Sequence, residues 1–281
     1  MVAITHFTDP ACPWAFSAEP RLRRLEWLYG DQLAWETRMV VLSESVEEYE
    51  EKGFDTAKQA AEFKTMAGRF GMPIDWRERA AVPATIGVCK AVVAARLNGP
   101  EGVEDRLLRR LRVTGMAGAQ LDAPETLERS AREAGLDPSA LDGWLADDAV
   151  EQALRDDMAA ARDPDPSALS LLHKLAPAGD GHRYTCPSLE LEAEGMTVIA
   201  PGFQPVESYE VAVAHLAPDL ERRADPASPA EVLAWAGIPL ATVEVAAVCA
   251  RDTTEVRGAL AASGAAYEPV GDDGYWSLRA A

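Results

Sequence analysis

Cysteine is scarce in this chain: four in 281 residues, at positions 12, 89, 186 and 249. Cysteines so few and so scattered exclude a disulfide framework, and no Cys-x-x-Cys pair is present to hold zinc. Histidine is as rare, with four residues that form no recognisable ligand motif, so no metal is expected. Positive charge is short as well, with 27 basic against 46 acidic side chains and a formal net charge of -19. Nucleic acid and anionic lipid bind clustered Lys and Arg, so neither is expected as a partner. No apolar run reaches the roughly 18 residues that a membrane span needs, and Met1 leads straight into the strand-like Val2 to Phe7 with no leader pattern. A soluble, cytoplasmic protein is therefore expected.

What is present is enough apolar content, 48%, for one large core and a small satellite. The run Val2 to Thr8, a helical pattern Pro13 to Tyr29 and a second strand-like run Gln32 to Leu42 make a β-α-β opening, with Pro13 where a missing N–H does no harm. From about 55 to 162 the apolar spacing turns helical: Ala57 to Phe70, Thr85 to Leu97, Gly102 to Thr114, Pro124 to Glu133, Pro138 to Trp144 and Ala149 to Ala161. Asp122 and Asp137 are placed to cap the helices that follow them. Asp163-Pro164-Asp165-Pro166 closes this block. A strand-like stretch Arg183 to Ala193, its hairpin partner Met196 to Ala200 and a helix Pro205 to Leu216 follow.

Pro218 to Pro229 reads as a linker into a segment covering 230–281. There Pro229 to Trp235, Thr242 to Cys249 and Thr254 to Ala262 read as short helices, and Ala266 to Leu278 as a hairpin turning at Gly271-Asp272-Asp273-Gly274. That order resembles a winged helix. From Glu231 onward, however, three arginines face seven acidic residues, which argues against DNA. The segment is expected to dock on or cap the main domain, with Tyr275 and Trp276 as apolar anchors.

The chemistry concentrates in Asp9-Pro10-Ala11-Cys12-Pro13-Trp14-Ala15-Phe16, where a strand gives way to a helix. A thiol at a helix N-terminus is stabilised as thiolate by unpaired backbone N–H groups and the helix dipole, so Cys12 is a candidate nucleophile. The position three residues on, where a dithiol centre would carry its second sulfur, is Ala15. Trp14 is expected to wall the sulfur, Phe16 to pack in the core, and Asp9 to serve the turn before Pro10 while raising a neighbouring thiol's pKa. Cys89 and Cys249, each in an apolar helical pattern, read as core. His6, on an alternating strand, faces either the cleft or the core.

These residues resemble the active-site opening of the DsbA-like oxidoreductases, in particular the cytoplasmic FrnE-type branch. Leu107 to Arg112, the turn Gly115 to Leu121, and Pro124 through Asp137 resemble that family's helical insertion, and Thr185-Cys186-Pro187-Ser188-Leu189 resembles its cis-proline strand. The resemblance covers 1–217. It implies an α/β, thioredoxin-like fold (β-α-β, a helical insertion over about 55–162, then β-β-α), followed by the linker 218–229 and the small α+β winged-helix-like segment 230–281. It further implies that Pro187 is cis and that its loop brings Cys186 toward Cys12. Cys12 would then attack a disulfide, with Cys186 either a relocated resolving cysteine or a small buried residue. Pro13, Trp14, Thr185 and Pro187 would contact the substrate, a disulfide-containing protein or a small thiol. Relatives of the same fold, the kappa-class glutathione transferases and 2-hydroxychromene-2-carboxylate isomerases, offer a monothiol alternative in which a low-molecular-weight thiol is the only cofactor. A degenerate binding module is the third reading. Nothing in the sequence indicates an oligomeric state.

Overall fold

The computed structural model describes residues 1–51 and 53–279. The opening strand β1 (Val2–Thr8) is followed by helix α1 (Pro13–Tyr29) and strand β2 (Leu33–Met39), which pairs with β1 in parallel. Seven helices come next: α2 (Val46–Glu51), α3 (Thr56–Phe70), α4 (Ile86–Asn98), α5 (Val103–Met116), α6 (Pro124–Glu133), α7 (Pro138–Leu145) and α8 (Asp148–Ala161). A two-stranded hairpin, β3 (Leu175–Ala178) with β4 (Gly181–Tyr184), leads into β5 (Ser188–Ala193), β6 (Met196–Ala200) and α9 (Val206–Leu216). The main sheet has the order β2-β1-β5-β6, with β5 antiparallel to both of its neighbours. This is the expected α/β, thioredoxin-type arrangement with a helical insertion. Among the described residues, no helix is long and apolar enough to cross a membrane.

Several boundaries differ from the sequence reading for identifiable reasons. Gln32 belongs to a 3-10 turn, and the second strand stops at Met39 because Val41 takes a left-handed backbone, φ 56°. That conformation is costly for a β-branched residue, and it swings Leu42 out of the ladder. The stretch 183–193 is not one strand: Thr185-Cys186-Pro187 interrupts it between β4 and β5. Asp122 does not cap α6, since Ala123 holds the N-cap position ahead of Pro124. Its carboxylate instead accepts from the Ala84 backbone N–H and the Gln120 amide. Asp137 does cap α7, accepting from Ser139 N at 3.0 Å. Neither α2 nor β3 was expected, because one is a run of acidic residues and the other contains a proline.

After α9 the chain runs without regular structure along α1. Arg223 N donates to Leu28 O at 2.8 Å, Trp27 Nε1 donates to Ala224 O at 2.9 Å, and Arg24 pairs with Asp225 at 2.7 Å. Helices α10 (Pro229–Ala236), α11 (Thr242–Cys249) and α12 (Thr253–Ala262) follow, with strands β7 (Leu240–Ala241), β8 (Ala266–Val270) and β9 (Asp273–Ser277) in the order β7-β9-β8. Trp276, Val245 and Val248 belong to the same apolar cluster as Leu25 and Leu28 of α1, Ile4 of β1 and Leu191 of β5. Tyr275 enters a second cluster with Phe16, Phe63 and Met72. Both anticipated anchors are therefore buried against the main sheet and its helices.

Buried charge joins the same pieces. Glu19 of α1 accepts from Arg112 of α5 at 2.9 Å and is also paired with Arg109. Arg109 Nη2 reaches Glu244 of α11 at 2.6 Å, and Glu244 accepts from the backbone N–H of Ala241 at 2.8 Å. All four side chains are less than a tenth exposed. Ion pairs taken out of water hold only when each partner is matched, so removing one side is far more damaging than the pair's net worth suggests. Glu244→Ala is expected to cost about 3–5 kcal/mol, and Glu244→Gln, which keeps the hydrogen bonds, markedly less. Urea denaturation checks this, and an Ala variant within about 1 kcal/mol of the parent would contradict it.

Candidate active site

Strand β1 ends at Thr8 and the chain turns through Asp9-Pro10-Ala11 into α1, leaving Cys12 at the N-cap with extended backbone. Asp9, fully buried, secures the turn. One carboxylate oxygen accepts from Ala11 N at 2.8 Å, and the other accepts from Leu42 N at 2.9 Å, where the chain leaves β2. The Cys89 thiol of α4 also donates to Asp9, at 3.4 Å. Cys89 is thus buried as expected, but as a hydrogen-bond donor beneath the site as well as a packing residue. Burial, reinforced by Asp9, pushes its pKa well above the ordinary thiol value.

The register of β1 with β5 brings the second sulfur in. His6 pairs with Leu189 and Phe7 with Ser188, so residues just before β5 lie across from the end of β1. The Cys186–Pro187 peptide bond is cis. Thr185 Oγ1 donates to Lys174 O at 2.6 Å, and Ser188 Oγ donates to Thr185 O at 2.7 Å, fixing the loop on both sides. Cys12 Sγ lies 3.4 Å from the Cys186 carbonyl oxygen. As a thiol, Cys12 donates to that oxygen.

These contacts separate the two sulfurs electrostatically. The Cys186 hydrogen bond is the largest influence on Cys12, and together with the backbone N–H groups of Ala15 and Trp14 it holds the Cys12 pKa below the ordinary thiol value against burial and the Asp9 charge. Cys186 moves the other way, raised first by burial and then by its bond to Cys12. The pair therefore keeps its negative charge on Cys12, at the helix end, which is the arrangement of an activated nucleophile.

Both sulfurs open on a cavity of about 360 Å³. Pro13, Trp14 and Thr185 line it. Pro187 does not; it is buried and turns the loop that carries Cys186. Trp14 Nε1 donates to Glu62 at 3.3 Å and packs edge-on against Phe70 and Phe203, making the wall beside the sulfur. Phe16 is fully buried in the core. His6 faces away, into a different cavity on the far side of α1. Cys249 is buried far along the chain, its pKa raised by burial to about 11. Among the described residues no cluster of three or more His, Cys, Asp or Glu could hold a metal.

Sequence reasoning missed Tyr49, Gln59 and Arg183, which complete the walls. Tyr49 packs on Phe54 at 5.7 Å, and burial beside Asp9 and Cys12 raises its phenol pKa. The one available signal was a pair of aromatics inside an otherwise acidic run, Glu44 to Phe54.

A family model described as a DSBA-like thioredoxin domain matches residues 3–165. Among solved structures, the chain is similar to a putative protein disulfide isomerase from Nitrosomonas europaea, at TM-score 0.55 and 15% identity over 77% of this chain and 96% of that one. A probable DsbA oxidoreductase from Streptomyces coelicolor gives 0.55 and 18%, over 78% and 91%. The cytosolic disulfide reductase DsbM from Pseudomonas aeruginosa gives 0.52 and 18%, over 78% and 98%, and was also solved with GSH. At such identities the likeness speaks for the fold. No curated protein matches the chain.

Thiolate is the reactive form, and its fraction rises with pH through the Cys12 pKa. Iodoacetamide labelling of Cys12 in the native protein is therefore expected to reach its plateau at lower pH than a free thiol of pKa about 8.5. Cys186→Ala removes a donor to the thiolate and moves the midpoint up, whereas Asp9→Asn removes a like charge and moves it down. Midpoints unchanged in both variants, followed by peptide mass spectrometry, would show that neither group acts on the sulfur.

Proposed function

The chain belongs to the DsbA-like thioredoxin family, and from that premise we propose that it is a thiol–disulfide oxidoreductase with Cys12 as nucleophile and Cys186 as resolving cysteine. The observation that carries the reading is the approach of the two cysteines, with Cys12 Sγ 3.4 Å from the Cys186 carbonyl oxygen and both residues lining one cavity, which brings a second cysteine to the site where the helix has Ala15. The Cys12 thiolate attacks one sulfur of a substrate disulfide, forming a mixed disulfide and releasing the other half as thiolate. Cys186 gives up its proton to that leaving thiolate and attacks Cys12 Sγ. A Cys12–Cys186 disulfide forms and the second substrate thiol departs, so the substrate gains two electrons and the protein loses two. A thiol reductant returns the pair to the dithiol form, and the same steps in reverse oxidise a substrate dithiol.

The small, largely apolar cavity supports a low-molecular-weight thiol, or the exposed disulfide of a protein, as the exchanging partner. Pro13, Trp14 and Thr185 are its contacts, and Arg183 is the one cation among the described residues that line it. The resemblance carried by Asp9 to Phe16 supports the cytoplasmic FrnE-type branch of the family, and the similarity to a cytosolic disulfide reductase supports that compartment. The segment from 230 onward, winged-helix-like in element order and acidic, serves as a cap fastened to α1 rather than as a DNA reader.

Non-reducing peptide mass spectrometry after brief exposure to hydroxyethyl disulfide tests the scheme. The parent protein is expected to yield a Cys12–Cys186 cross-link, Cys186→Ser to accumulate the hydroxyethyl adduct on Cys12, and Cys12→Ser to yield neither. An adduct on Cys12 beside a free Cys186 thiol in the parent would replace the dithiol scheme with a monothiol one.

A further inference from the structure

On the far side of α1 from the two sulfurs lies a cavity of about 470 Å³ that the redox chemistry does not use. Its floor is the sheet, with His6 of β1 and Trp35 and Thr37 of β2; its sides are α1 and α5, and Trp235 of α10 closes one end. Among the described residues two buried nitrogens of its lining, His6 Nε2 and Arg112 Nε, have neither a hydrogen bond nor an ion pair, whereas the unbonded Glu19 Oε2, Arg109 Nη1 and Arg23 Nε each meet an opposite charge. His6 is 5% exposed and Arg112 3%, and both side chains line the cavity. Buried polar groups are nearly always satisfied in folded proteins, so two exceptions in one roomy cavity point to a ligand. Arg112 Nη1 and Nη2 donate to Glu19 and the Thr8 hydroxyl, which leaves Nε as its unbonded nitrogen. The remaining walls are apolar: Leu22, Leu108 and the two tryptophans.

We propose that this cavity is a binding site for a small carboxylate with an apolar body, its oxygens accepting from His6 and Arg112 and its body lying between Leu22, Leu108, Trp35 and Trp235. Charge balance adds a condition. At the inner end Arg109 and Arg112 already match Glu19 and Glu244. Nearer the rim Arg23 pairs with Glu26 at 2.7 Å, Asp105 accepts from Thr37, and Asp31 is exposed. A carboxylate therefore enters together with a proton, and His6 is the group that takes it. In the empty cavity burial, assisted by Arg112, lowers the His6 pKa to about 3 and keeps the ring neutral. A carboxylate alongside stabilises the imidazolium and raises that pKa, so binding takes up one proton and weakens as pH rises.

The test is calorimetric titration of the full-length protein with cyclohexanecarboxylate, with the neutral cyclohexanecarboxamide and the cationic cyclohexylmethylamine as rivals. Saturable binding of the acid is expected, its affinity falling as pH rises, by up to about tenfold per pH unit between the His6 pKa of the free protein and the raised one of the complex, as one proton is taken up. The His6 ring resonances should shift on saturation. His6→Gln and, independently, Leu108→Phe, which narrows the cavity, are each expected to weaken binding by about tenfold or more, with circular dichroism checking that they fold. Binding of the amine in preference, equal binding of the amide, or no binding of the three overturns the proposal; the last leaves a water-filled polar cavity.

Discussion

One buried carboxylate holds the reactive end of this molecule together. Asp9 accepts from Ala11 N in the turn before α1, from Leu42 N where the chain leaves β2, and from the Cys89 thiol of α4. Strand, helix, sheet edge and helical insertion thus meet on two oxygens. The price is electrostatic, since the Asp9 charge works against a thiolate on Cys12. The Cys186 thiol and the first N–H groups of α1 outweigh that repulsion, and Cys12 remains the more acidic of the two sulfurs. Position and activation are therefore set by separate groups: a carboxylate fixes the turn, while donors stabilise the thiolate.

A second set of buried charges does for the back of α1 what Asp9 does for its front. Glu19, Arg109, Arg112 and Glu244 connect α1, α5 and α11, and Trp276 and Tyr275 fill the apolar space around them. Arg112 also contacts Thr8, the residue immediately before Asp9. The segment after residue 229 is consequently packed on the same helix that Cys12 caps. In such networks losing one charged partner exposes the desolvation cost of the rest.

Local signals were readable wherever the physics is local. Pro13 at N1, the alternation of Val2 to Thr8 and the periodicity of Pro124 to Glu133 each involve neighbours within a few residues, and those elements lie where the sequence places them. The failures have equally local causes. Asp122 has the composition of a cap, but Pro124 starts the helix one residue later than a cap at 122 requires. Gln32 to Leu42 reads as one strand because nothing in the residue types announces a left-handed Val41. Cys89 looks apolar from its neighbours along the helix, and its partner is eighty residues away in the chain.

The sequence by itself determined that a lone cysteine sits at the start of a helix, with proline behind it and alanine where a second sulfur could have been, because strand, turn and helix propensities act over a few residues. Only the tertiary structure decided what that cysteine faces. The pairing of β1 with β5 brings Cys186 to Cys12 across 174 positions, the exit of β2 supplies Leu42 to Asp9, and the packing of α5 and α10 against the sheet encloses His6. Contacts of that kind follow from strand register and helix packing, which residue types bias but only the assembled core selects.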